Sequence, residues 1–160
     1  MNWGGLQLKF FLLIILITNS LIGFISFRFL NKSRLLFSDR FGFIVAFTGS
    51  AALGLVTALN LFLLFPANFV VMSVINMFIG IAIGMAFGAM LNTQSFIAGF
   101  FQGGVGGIMG TMIGAVALDP SICGLPYSSL NEQNILLFFG ILSFVLVTIT
   151  FKILCFSLRV

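Results

Sequence analysis

From Phe41 to Leu118 the chain carries no charged residue at all. A domain folded in water coats itself with about 25% charged side chains. Here charged residues make up 6% of the 160, and hydrophobic residues make up 61%. The outer surface must therefore face lipid. This excludes a water-soluble enzyme, a nucleic-acid binder and a disordered linker. The expected fold is all-α: a polytopic transmembrane helical bundle that forms a single integral membrane domain.

A helix crossing the hydrocarbon needs roughly 20 apolar residues. Five stretches qualify, at approximately 10–27, 41–65, 68–91, 95–118 and 131–156. Pro66 stops the second, because its ring cannot continue a helix interior. Asn92, Thr93 and Gln94 separate the third from the fourth, and Asp119-Pro120 ends the fourth. Ser129 and Glu132 have the S-x-x-E spacing of a capping box, which places the start of the fifth. That span reaches Phe156 if Lys152 snorkels to the interface. The first span resembles a signal peptide, with Lys9 before an apolar core. It lacks an A-x-A cleavage site, however, and Arg28 follows as a stop, so it is expected to be retained. Cleavage would leave four spans in the same orientation.

The charges that do exist set the orientation. Net charge is +4, and Arg28, Lys32, Arg34, Arg40, Lys152 and Arg159 all fall on one side of a five-span topology. Lys9 alone lies on the other, together with Asp119 and Glu132. The positive-inside rule makes the basic side cytoplasmic. The expectation is a multi-pass protein of the cell membrane, with its N-terminus outside and its C-terminus in the cytoplasm. Trp3 and Tyr127, the only Trp and Tyr, then both fall on the outer side, where amphipathic rings favour the headgroups.

Glycine is the next signal: 18 residues, well above the usual ~7%. The third span carries Gly80, Gly84 and Gly88 in two overlapping G-x-x-x-G steps. Ser73, Asn76 and Met77 share their face. The fourth carries Gly99, Gly103, Gly106, Gly107, Gly110 and Gly114 within an arc of roughly 100°, with Gly104 outside it. Small residues let helix backbones approach closely in lipid. The short connection between these spans makes them antiparallel neighbours, so the expectation is a glycine-striped hairpin. The same stripe permits two other uses, lining a pore or meeting another protomer.

Intramembrane ionisable residues mark most transport and proton-relay sites. The central three spans have none, which disfavours a proton-driven carrier. Four amides remain inside: Asn19, Asn60, Asn76 and Gln102. Asn60 and Asn76 lie about 10 and 12 Å from the turn that joins their helices, at 1.5 Å per residue. At similar depth they are read either as an interhelical hydrogen bond or as part of a polar site with Gln102 for a cation or small solute.

Catalysis finds no machinery. There is no histidine, hence no imidazole metal site and no His-based acid–base chemistry. There is also no G-x-S-x-G motif. Cys123 lies in the outer loop and Cys155 at the inner end of the last span, about 30 Å of hydrocarbon apart. They cannot form a disulfide within one chain, and Cys123 is expected to be an exposed outer thiol. Met109 and Met112 have an M-x-x-M spacing that would suit Cu(I) beside Cys123. Met112 points away from the glycine face, however, and methionine as adaptable filler explains the pattern more simply. No metal, cofactor or catalytic residue is assigned. The expected function is a non-enzymatic structural or accessory membrane protein, assembling through glycine-rich faces with other subunits or with itself. The alternative is a channel or carrier for a small solute or metal ion.

Overall fold

A computed structural model describes residues 3–32, 39–90, 92–119, 121 and 132–157. The elements are α1 (Trp3–Lys32), α2 (Asp39–Leu64), α3 (Phe69–Gly88), α4 (Thr93–Leu118) and α5 (Glu132–Ser157). All five are long and apolar enough to cross a membrane, and no strand occurs among the described residues. Helix is the only choice for such segments, because lipid offers no partner for exposed backbone N–H and C=O groups.

The boundaries have local causes. α2 ends two residues before Pro66, as the steric restriction ahead of a proline requires. Asn68 then caps α3, its side-chain oxygen accepting from the Val70 amide at 3.2 Å. α3, with 20 residues, matches a hydrocarbon core of about 30 Å. α1 runs to 30 residues, well beyond the expected 10–27. Lys9, Arg28 and Lys32 are good helix residues, so a charge that ends an apolar stretch does not end the helix.

α2 is the hub. It packs against each of the other four helices, and 61% of its most apolar window is buried, against 17% for α3. On one side α3 and α4 pack on each other and on α2. On the other, α1 and α5 pair with each other and with α2, while α4 and α5 scarcely meet. α1 buries Leu12, Ile15, Asn19, Gly23, Ser26 and Leu30; α5 buries Leu136, Gly140, Ser143, Val147, Phe151 and Leu154. Steps of three and four residues give each of these helices one inward stripe and an outer face left to lipid.

The apolar core has two halves. Leu12, Leu59, Leu63 and Leu136 pack near the end that carries Lys9 and Asp119. Leu30, Val45, Leu53, Phe151 and Leu154 pack near the end that carries Arg28, Lys32 and Lys152. Phe87 of α3 joins that second half, meeting Phe27 edge-on at 5.4 Å and stacking on Phe151 at 6.0 Å. Gly49 makes room for this ring, since a Cβ there would stand 3.2 Å from it. Between the two halves lie the buried amides.

Candidate functional site

Two polar nodes sit inside the bundle. Asn60 of α2 donates from Nδ2 to the Val56 carbonyl at 2.9 Å and to Ser143 Oγ of α5 at 3.2 Å. Asn19 of α1 donates to the same Oγ at 3.4 Å, and Ser143 donates onward to the Gly140 carbonyl at 2.7 Å. One serine hydroxyl thus ties three helices together. In the second node Asn76 of α3 donates to the Ala58 carbonyl at 3.2 Å and to Thr111 Oγ1 at 2.8 Å, and Thr111 donates to the Gly107 carbonyl at 2.9 Å. This node ties α2, α3 and α4. Asn19, Asn60, Asn76, Thr111 and Ser143 are all at most 2% exposed.

The expected pairing of Asn60 with Asn76 is corrected by these bonds, since each amide nitrogen is engaged elsewhere. The reason is rotational. Ala58, which receives Asn76, and Asn60 are two residues apart on α2, so they leave the helix on nearly opposite sides. Gln102 is half-buried on α4 and belongs to neither node. Asn19, Thr111 and Ser143 are the members that sequence reasoning did not assign to a site. Asn19 was visible as an intramembrane amide. A lone Thr or Ser gives no such signal, because its hydroxyl usually bonds a carbonyl of its own helix, as Thr18, Ser50, Thr57 and Thr150 do here.

The side-chain oxygens of Asn19, Asn60 and Asn76 have no hydrogen-bond partner. At Asn60 and Asn76 the amide orientation is fixed, because Nδ2 faces a backbone carbonyl that can only accept. Three buried amide oxygens are therefore unpaired, and Thr148 Oγ1 of α5 is a fourth unpaired buried oxygen.

The glycines of α3 and α4 are buried and lie backbone against backbone. A Cβ at Gly80 would run into the Gly103 carbonyl oxygen, and one at Gly84 into that of Gly99. The converse holds at Gly99 and Gly103, and Gly107 meets the Asn76 carbonyl in the same way. At Gly88 a Cβ would stand 2.7 Å from the Ser95 oxygen. These oxygens lie along the Cα–H direction, the arrangement of weak Cα–H···O contacts.

The α4 glycines do not all face α3. A Cβ at Gly106 would stand 3.0 Å from the Ala51 oxygen of α2, one at Gly110 would hit the Leu55 oxygen, and one at Gly114 would stand 3.0 Å from the Phe62 ring. α4 lies in the groove between two helices, and its wide glycine arc serves both. Gly104, outside the arc, is buried too, but against side chains rather than backbone. Its neighbours are the side chains of Ile81, at 3.2 Å, and Met77.

Met109 and Met112 are 54% and 50% exposed on the outer face of α4, away from the buried nodes. Among the described residues no group of His, Cys, Asp or Glu could hold a metal ion. Cys155 is half-buried on α5, whereas Cys123, Tyr127 and Ser129 lie outside the described residues.

Five apolar helices around a neutral, hydrogen-bonded interior define a multi-pass helical membrane protein. The chain matches no protein-family model, no curated protein and no solved structure.

Proposed function

We propose that this chain is a non-catalytic integral membrane protein, a structural or accessory subunit that assembles with other membrane proteins or with further copies of itself. The observation that carries this reading is the α3–α4 seam. A space that does not admit a methyl carbon does not admit a solute, and the glycines of this seam press against backbone instead of lining a path. Assembly would then use the outer faces of the bundle, because the glycine faces are occupied within the chain. The non-catalytic part rests on the sequence, which has no histidine and no ionisable residue between Phe41 and Leu118. The orientation that goes with it, N-terminus outside and C-terminus cytoplasmic, rests on the distribution of Lys and Arg.

One observation favours a second reading, a carrier or channel for a small cation or polar solute. Unpaired buried acceptors each cost about 1–3 kcal/mol, and a cation or hydrogen-bond donor would satisfy the oxygens of Asn19, Asn60 and Asn76. Reconstitution separates the two readings. Solute or ion flux in proteoliposomes that is lost in Asn60→Leu and Asn76→Leu would establish the carrier. Tight proteoliposomes, together with recovery of a fixed partner or a defined homo-oligomer, would establish the accessory subunit.

A further inference from the structure

Among the described residues, the outer face of the bundle carries a groove that combines an apolar lining with a cation. Between α1 and α5, at the basic end, runs an open groove of about 710 Å³. Its floor and walls include Ile25, Ser26 and Phe29 of α1 and Lys152, Ile153 and Phe156 of α5. Lys152 is exposed and its side chain lines this apolar groove, so its ammonium can snorkel toward the basic end and meet an anionic group there. Ser26, 7% exposed, places a hydroxyl in the lining of the same groove.

We infer that this groove binds one anionic phospholipid, with the phosphate drawn to Lys152, a polar headgroup or ester oxygen within reach of Ser26, and an acyl chain along Ile25, Phe29, Ile153 and Phe156. Charge complementarity selects this occupant. Arg28, Lys32, Arg40 and Lys152 share this end, and basic side chains near a membrane surface attract anionic lipids. Arg28 provides a matched control. It lies at the same end of α1 but is turned to another face, its guanidinium 5.3 Å from the Phe24 ring.

The test is native mass spectrometry of the full chain released from neutral detergent with phosphatidylglycerol or phosphatidylcholine added. One phosphatidylglycerol should be retained in preference to phosphatidylcholine, and sn-glycerol 3-phosphate, which has no chains, should not be retained. Lys152→Gln should weaken that retention about fivefold, the effect of one basic side chain at the surface, while Arg28→Gln leaves it unchanged. Both substitutions are at exposed positions, so folding is preserved. Equal weakening by both variants would mean diffuse attraction to the basic end and overturns the site. So would equal retention of the two lipids, or retention of glycerol phosphate alone. A homodimer abolished by Phe156→Gln would assign the groove to a second copy of the chain instead.

Discussion

At Gly84 the side chain is a hydrogen atom because the neighbouring helix leaves room for nothing else. Leu at Gly84 or Gly107 must displace a backbone carbonyl, that of Gly99 or Asn76, which no rotamer change can move. Overpacking typically costs about 1–3 kcal/mol, and the expectation here is the upper part of that range. Gly104→Leu presses on the Ile81 and Met77 side chains, which can yield, so it should lower thermal stability in detergent by clearly less. Equal tolerance at the three positions would show that the seam is not closely packed. The amides call for a milder prediction. Asn76→Leu removes the bonds to Ala58 and Thr111, but Thr111 keeps its acceptor at Gly107 and no new orphan is made. Interhelical hydrogen bonds in membranes average about 0.6 kcal/mol and reach about 1.7. Reversible unfolding in bicelles should give a loss within that range. A much larger loss would mean that Asn76 fixes the helix register as well.

α3 is the helix with the sharpest start, and its cap can be tested alone. Asn68→Ala removes the bond to the Val70 amide and should cost about 1 kcal/mol, read as earlier thermal unfolding. Asn68→Asp should retain most of it. An unchanged midpoint in the alanine variant would show that the Pro66 turn sets the helix start without help. The helices themselves were legible in the sequence: α2 ends at Leu64 beside Pro66, and α4 ends at Leu118 before Asp119. Their arrangement was not. Hydropathy cannot distinguish the enclosed α2 from the peripheral α3, because lipid tails and a protein interior are equally apolar. The partners of the amides were hidden for the same reason. Ser143 looks like any serine of an apolar helix until α1 and α5 are known to lie side by side against α2.

For the molecule as a whole, the uneven distribution of basic residues yields a topology experiment. In intact cells an impermeant maleimide should label Cys123 but not Cys155, and Asn31, in its N-x-S sequence, should stay unmodified in eukaryotic microsomes. Glycosylation at Asn31 would invert the orientation. The fit of α4 between α2 and α3 also bears on how the chain enters the bilayer. α4 is the least apolar of the five spans, with a mean hydropathy of 1.4 against 2.2 for α3. Each glycine that lets it approach a neighbour also deprives it of a side chain that would favour lipid. The expectation is that α4 integrates with the help of α3, synthesised just before it, the pair entering as one hairpin. Behind a glycosylation reporter, α4 alone should be translocated in a large fraction of chains, whereas the α3–α4 pair should be integrated. Leu at Gly103 should then have opposite effects at two stages, helping α4 alone to leave the translocon and hindering the finished bundle from closing.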